Sequence, residues 1–254
     1  MQPVRVVVAG ATGKAGREMV RAVVRDAGFT LVGAVATEGV GSDVGELIGI
    51  ESGNTGVLVH SSLEDALKAG VRADVLIDFT TPGAARKTIP AAVAAGVAPV
   101  VGTTGLEQGD LDHFIALCQE KGLGGAFISN YSVGVMLMMR WAEEARRFMP
   151  HAEIIEMHHH TKLDSPSGTA VRTKARLERA MGDLAAPPVA VHSVRLPGLV
   201  AHQEVIFGGP GQTLTIRHDA PSREAYVPGV LMTCKWVLRT KQVALDLEDV
   251  AFAR

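Results

Sequence analysis

Cysteine is scarce in this chain: Cys118 and Cys234 are the only two, and they stand far apart. Their separation matches no metal-ligand spacing, and a disulfide framework would need more thiols. A reducing, cytoplasmic setting is the expectation that follows. Charge of one sign is missing too. A formal net charge of -2 gives no electrostatic reason to expect a nucleic acid or a membrane surface as partner. No apolar run approaches the ~20 residues that a membrane-spanning helix needs, and residues 1–5 lack the charged start and apolar core of a secretory leader. Internal repeats, low-complexity stretches and charge runs are absent as well. What remains has 47% hydrophobic and 20% charged residues, the balance of a soluble globular protein. At roughly 100–200 residues per domain, the 254 residues suit one large or two modest domains.

The stretch 4–9 reads V-R-V-V-V-A, short, β-branched and nearly continuous in apolar character, as a buried parallel strand does. Glycines follow. Then Met19, Val20, Val23, Val24 and Ala27 recur at helical spacing, with Gly28 as the predicted stop. Further strands are predicted at 31–36, 57–59, 74–79, 99–101 and 126–128. Between them Ser61-x-x-Glu64 reads as a capping box, Thr81-Pro82 as an N-cap with a first-turn proline, and 107–121 as a helix. Pro90 is expected to kink or break the helix that contains it. Strands alternating with helices predict a doubly wound, Rossmann-type parallel sheet. After about residue 130 the grammar changes. A methionine-rich helix is predicted over 132–148, an alternating strand over 153–158 and a helix over 167–181. Strand-like runs across 191–218 turn at Pro197-Gly198 and at Gly208-Gly209-Pro210-Gly211, and 228–239 returns to helix. This half reads as α+β with a mostly antiparallel sheet. The methionines at 136, 138 and 139 read as packing residues.

Gly10-Ala11-Thr12-Gly13-Lys14-Ala15-Gly16 joins the first strand to the first helix with the spacing G-x-x-G-x-x-G. Glycines let such a turn close tightly and let a pyrophosphate approach a helix N-terminus, whose free N–H groups favour anions. The same spacing also occurs in purely structural turns. NAD-binding proteins often carry an acid at the end of the second strand, ~20 residues on. Here that position is Thr37, and Glu38 follows. Threonine would not repel a 2′-phosphate, and Lys14 could help to neutralise one. A strand ending one residue later would bring Glu38 into the selecting position. The expectation is use of both NADPH and NADH, with a modest lean to NADPH.

The most informative stretch is Glu156-Met157-His158-His159-His160-Thr161-Lys162-Leu163-Asp164-Ser165-Pro166-Ser167-Gly168-Thr169-Ala170. Ser167-Gly168-Thr169 opens a predicted helix, whose first N–H groups and two hydroxyls offer a carboxylate site. Lys162 adds positive charge just before it, unless it is only a solvated surface lysine. Histidine is the side chain best suited to proton transfer near neutral pH. An anion clamp beside a proton donor suits a reductase acting on a small dicarboxylate. Three histidines in a row suggest zinc, but strand neighbours point to opposite faces and no further Cys or His completes a set, so no metal is expected.

The pattern H-H-x-x-K-x-D-x-P-S-G-T resembles the signature of the 4-hydroxy-tetrahydrodipicolinate (dihydrodipicolinate) reductase family. Agreement extends to the first glycine turn, Ile77-Asp78-Phe79-Thr80, Gly102-Thr103-Thr104-Gly105, Asn130-Tyr131-Ser132-Val133-Gly134-Val135, Ser222-Arg223 and Gly229. It runs over nearly the whole chain. The resemblance implies that His158 protonates the reduced ring and that Lys162 is a second proton donor or a carboxylate partner. It implies that His159, Ser167, Gly168 and Thr169 bind substrate. Gly10 to Gly16 and Thr37 would hold the nucleotide. Phe79, Thr80, Gly102, Thr103, Thr104 and the segment 126–131, with Ser129, Asn130 and Tyr131, would line its nicotinamide end. Many relatives have a basic residue where Thr81 stands and an acid where Thr37 stands, and His160-Thr161 replaces the Arg-His pair of some. The implied domains are a dinucleotide-binding part (1–130), a substrate-binding and tetramerisation part (131–223) and a C-terminal return (224–254), in a homotetramer. The implied reaction removes water from the hydroxylated ring and reduces it, in the diaminopimelate route to lysine.

Two rivals stand against this reading. Short-chain dehydrogenase-like enzymes share the glycine turn but need a Tyr-x-x-x-Lys pair, and four residues after Tyr131 and Tyr226 stand Val135 and Val230. A nucleotide-sensing regulatory protein would not need the arrangement of His158, Lys162 and Ser167.

Overall fold

The computed structural model describes residues 2–50, 53–182 and 186–253. The chain forms two compact units, Met1–Tyr131 with Tyr226–Arg254, and Ser132–Ala225. The first begins with strand β1 (Val4–Ala9), helix α1 (Gly16–Arg25), β2 (Phe29–Val35), the short α2 (Val44–Ile48), β3 (Val59–His60), α3 (Leu63–Lys68), β4 (Val75–Asp78), α4 (Pro82–Ala94), β5 (Ala98–Val101), α5 (Gln108–Lys121) and β6 (Gly125–Phe127). The second contains α6 (Val133–Arg146), β7 (His151–His158), α7 (Gly168–Ala180), β8 (Ala190–Arg195), β9 (Ala201–Gly209) and β10 (Gln212–Ala220). The chain then returns to the first unit with α8 (Val227–Val237), β11 (Val243–Ala244) and α9 (Leu247–Ala251).

The first unit holds a seven-stranded sheet in the order β11-β6-β5-β4-β1-β2-β3, with parallel pairing throughout. Helices cover both faces, which is why the central strands read as continuous apolar runs: Val6, Val7, Val8, Val75, Leu76 and Ile77 are all buried. One core cluster joins β1, β2 and β4 to α3 and α4 through Val7, Val35, Leu63, Leu76 and Ala92. Another joins β5 and β6 to α4 and α5 through Ile89, Val101, Phe114 and Phe127. At about 1.5–3 kcal/mol for each buried aliphatic or Phe side chain, these clusters supply the main force holding the sheet and helices together.

Three local expectations need correction. The helix containing Pro90 is not broken, since α4 runs through it from Pro82 to Ala94. Burial of Ala85, Ile89, Ala92 and Val93 along the helix holds it in place despite the lost hydrogen bond. The cap of α3 is Ser62 and not Ser61: the Ser62 hydroxyl accepts from the Asp65 N–H, while Ser61 Oγ donates to the Asp65 carboxylate. Helix α1 ends at Arg25, before Gly28, because the Asp26 carboxylate accepts the Gly28 N–H at 2.8 Å and turns the chain early. Val24, inside α1, lies off the buried face formed by Met19, Val20 and Val23 and is exposed.

The second unit holds a four-stranded sheet in the order β10-β9-β7-β8. Strand β9 is antiparallel to both β10 and β7, whereas β7 and β8 are parallel. Ala142 of α6 and Ala170 and Leu177 of α7 pack with Ile154, Val205 and Phe207 of the sheet. Along β7, Ala152, Ile154 and Glu156 are buried in alternation with more exposed residues. Glu156 therefore occupies a core-facing position on a strand that the period of two otherwise fills with apolar side chains.

Candidate active site

In the first unit the carboxyl ends of β1, β4, β5 and β6 carry the residues expected at the nucleotide site. After β1 the chain runs outward to β2 and β3 and then crosses to β4, so β1 and β4 flank the reversal of strand order, the place where open α/β sheets bind ligands. Gly10 follows β1 with φ +77°, and a Cβ there would stand 2.4 Å from the Phe79 carbonyl oxygen. A Cβ on Gly16 would stand 2.0 Å from the Gly10 oxygen. Both positions therefore require glycine. Ala11 is buried, Thr12 and Ala15 are half-buried, and Gly13 and Lys14 are exposed. Among the described residues, the N–H groups of Thr12, Lys14 and Ala15 meet no protein acceptor. These open donors at the start of the ten-residue α1 suit a pyrophosphate.

Strand β2 ends at Val35, with the Ala36 N–H on the His60 carbonyl, and Thr37 and Glu38 follow on the exposed side. The strand thus ends one residue earlier than expected, and Thr37 stays nearer its end than Glu38. Past β4, the buried Asp78 accepts from the Thr80 N–H (3.1 Å), the Thr80 hydroxyl (2.7 Å) and the Thr103 hydroxyl (2.6 Å), all at Oδ1. Burial raises its pKa above the ordinary range, against the pull of those donors. Gly102 lies against the Phe79 ring, where a Cβ would stand 2.2 Å from a ring carbon. Thr104 and Ser129 are exposed and Asn130 half-buried. Tyr131 is 1% exposed, donates its hydroxyl to the Val101 carbonyl at 3.0 Å, and has its pKa raised well above the usual value by burial. That phenol is unsuited to proton transfer near neutral pH.

In the second unit β7 delivers the histidine segment. His158 ends the strand, and its Nδ1 lies 2.5 Å from Glu156 Oε2. Glu156 is 0% exposed. Its Oε1 accepts from Arg195 Nη2 (2.6 Å) and from the Ser167 N–H (3.2 Å), while its Oε2 also accepts from Arg195 Nη1 (2.9 Å). Burial pushes the Glu156 pKa up, but donation from Arg195, Ser193, His158 and Ser167 outweighs it, and the carboxyl titrates below the ordinary range. For His158 the largest influence is burial, which lowers the pKa. Glu156 pulls it up, Lys162 and Arg195 push it down, and the net direction is down.

The loop after β7 gathers the cationic and N–H donors. The Lys162 N–H bonds to the His159 carbonyl, and Lys162 Nζ lies 2.6 Å from Asp164 Oδ1. The Asp164 pKa is lowered chiefly by Lys162, with a contribution from the Gly168 backbone. A carboxylate of the protein thus already sits on two donors predicted for a substrate carboxylate. Ser167 caps α7, accepting the Ala170 N–H at its hydroxyl, so both its N–H and its hydroxyl have protein partners. Gly168 is exposed, and a Cβ there would meet open space. Thr169 is half-buried. His159 Nδ1 lies 2.7 Å from the Thr161 hydroxyl, and His160 is exposed. Glu156 and Arg195 are members of the site that the motif did not single out. The signal for Glu156 was its place two residues before His158, hence on the same strand face. Arg195 gave no local signal, because its position depends on the pairing of β7 with β8.

Comparison with known proteins gives concordant results. The family model "Dihydrodipicolinate reductase, N-terminus" matches residues 4–131, and "Dihydrodipicolinate reductase, C-terminus" matches 134–251. The 4-hydroxy-tetrahydrodipicolinate reductase of Symbiobacterium thermophilum is 67% identical over all of both chains. That of Moorella thermoacetica is 45% identical over 97% of each. Among solved structures, the dipicolinate-bound dihydrodipicolinate reductase from Paenisporosarcina sp. TG-14 superposes with a TM-score of 0.82 at 33% identity, covering 98% of this chain and 99% of that one.

Proposed function

Because the chain belongs to the dihydrodipicolinate reductase family, we propose that His158 is the proton donor of its reaction and that the loop 159–169 holds the substrate. The reaction itself is the reduction of 4-hydroxy-tetrahydrodipicolinate to tetrahydrodipicolinate, with loss of water, in the diaminopimelate route to lysine. A reduced pyridine nucleotide, when bound, supplies the hydride to C4 of the ring. The observation that carries the reading is the placing of a partly buried histidine, fixed at Nδ1, in the same segment as Lys162 and the start of α7.

With Nδ1 engaged by Glu156, Nε2 is the nitrogen through which His158 gives its proton to C3. Lys162 turns from Asp164 to a ring carboxylate, and the Gly168 and Thr169 N–H groups with the Thr169 hydroxyl take up that carboxylate's oxygens. His159 contacts the ring's second polar edge. Ser167 acts by shaping the start of α7. On the nucleotide side, Gly10 to Gly16 take the pyrophosphate and Thr37 the adenosine ribose. Phe79, Thr80, Gly102, Thr103, Thr104, Ser129, Asn130 and Tyr131 form the nicotinamide end. Both nucleotides are used, with a modest lean to NADPH, because Thr37 does not repel a 2′-phosphate and Lys14 favours one. The units have distinct tasks: nucleotide binding in the first, substrate binding and assembly in the second. The nine-residue β10 leaves an exposed sheet edge on which a homotetramer would build; sedimentation at four times the 26.7 kDa chain mass checks this. A cytoplasmic location accords with the two free, buried cysteines.

The test is nucleotide oxidation with ring substrate generated from pyruvate and aspartate semialdehyde, run in parallel with NADH and NADPH. Oxidation of both, faster with NADPH at low concentration, and competition by pyridine-2,6-dicarboxylate support the reading. Competition absent at millimolar dicarboxylate would remove the clamp from it.

A further inference from the structure

We infer that Glu156 is a positioning residue for His158, fixing the proton on Nδ1 so that Nε2 alone exchanges protons with the ring, and that Arg195 tempers its pull. The inference deepens the proposed role of His158 and rests on it.

Three observations carry the case. First, Glu156 occupies a position that alternation assigns to the core, following Ala152 and Ile154 on the same face of β7. A buried ion pair is rarely worth more than well-packed apolar residues of equal volume. Stability alone therefore gives little reason for a carboxylate there. Second, the two carboxylate oxygens are divided between tasks. Oε1 is spent on Arg195 Nη2 and the Ser167 N–H, while Oε2 meets Arg195 Nη1 and His158 Nδ1. A carboxylate only accepts, so His158 must carry its proton at Nδ1 in both its neutral and its charged form. Third, Arg195 is itself anchored, with Nη2 also donating to the Asp164 carbonyl at 2.8 Å. The guanidinium therefore cannot drift from the pair.

The balance of charges gives the arrangement its function. A lone buried carboxylate would hold the imidazolium so firmly that proton release to carbon would suffer. Arg195 on β8 offsets that pull, and Lys162 on the following loop opposes the imidazolium further, being itself countered by Asp164. From β9 the register partners of Glu156 and His158 are Gln203 and Ala201, both uncharged; His202 between them stands opposite Met157 and pairs with Asp219. Ser167 and Gly168 of the α7 start add no charge.

The test is the alkaline limb of the pH profile of kcat/KM in the full chain. His158 must be protonated to donate, so activity falls as pH rises through its titration. Glu156→Gln removes the group that favours the imidazolium, and the limb should move to lower pH, with proton affinity about tenfold weaker. Arg195→Met removes a positive charge that opposes the imidazolium, and the limb should move to higher pH. Arg195→Lys should return most of the way to wild type. A purely structural role would lower kcat without opposite displacements of the limb. The inference is overturned if the two variants leave the limb in place or move it the same way. If Glu156→Gln does not fold, the sign of the Arg195→Met shift decides alone. His158→Asn separates the two levels: a residual rate that keeps the wild-type limb sinks His158 as the donor, whereas loss of the limb there with none of these shifts sinks only the role of Glu156.

Discussion

At the scale of single residues, the site rests on side chains whose neighbours set their chemistry. Lys162 is half-buried with a 2.6 Å partner in Asp164, which supports the proposed role over that of a solvated surface charge. Lys162→Ala should lower turnover by at least ~10²-fold while the nucleotide dissociation constant, measured by fluorescence, stays near wild type. A loss confined to nucleotide binding would contradict its placement on the substrate. Thr37 follows a strand that ends at Val35, which keeps it ahead of Glu38. Thr37→Asp should therefore raise the KM for NADPH and shift the preference to NADH; an unchanged ratio would make Glu38 the selector. The roles proposed for His158 and Lys162 could be suggested from the sequence because both residues fall within one short segment. Glu156 was visible only as the polar member of an alternating strand, and its burial needed the sheet. Arg195 stands 39 residues away and joins the site through strand pairing that no local pattern encodes.

At the scale of elements, caps and close approaches decide where chemistry can sit. Ser167 ends the loop and begins α7 by accepting the Ala170 N–H. Ser167→Ala should cost about 1 kcal/mol of stability, seen as a lower urea midpoint at unchanged slope, with a raised KM for the ring substrate. Ser167→Thr should recover most of the midpoint, and equal losses in both variants would contradict a capping role. Pro90 points to a kink or a break in α4 when only its lost hydrogen bond is weighed, whereas packing of Ile89 and Val93 keeps that helix unbroken. The α3 cap was misplaced by one residue because Ser61 and Ser62 are adjacent and both reach Asp65. Such offsets come from competition between neighbouring side chains, which a motif read in isolation does not weigh.

At the scale of the whole molecule, alternation of apolar strands with helices was enough to indicate the parallel sheet, because burial on both faces leaves a continuous apolar signature in β1 and β4. The second sheet was legible as mostly antiparallel from its turns, but the parallel pairing of β7 with β8 has no local sign. Stability against acid depends on buried carboxylates such as Asp43. Burial pushes its pKa up, but donation from the Thr55, Gly45 and Glu46 backbones and the Thr55 hydroxyl outweighs that and holds it below the ordinary value. A lowered carboxyl pKa contributes stability that is complete at neutral pH and is lost as pH falls through the folded-state titration. Asp43→Asn should therefore be less stable by about 2 kcal/mol at neutral pH, with the gap closing as the pH is lowered. Denaturation at a series of pH values checks this, and a gap independent of pH would contradict it.

The central claim is that His158 delivers the proton in a nucleotide-dependent ring reduction. Its most direct test is the steady-state turnover of folded His158→Ala on the ring substrate, beside wild type, with nucleotide and dicarboxylate binding measured on the same samples. A loss of at least ~10²-fold in turnover with both binding constants near wild type is the predicted result; wild-type turnover in the folded variant would contradict the claim.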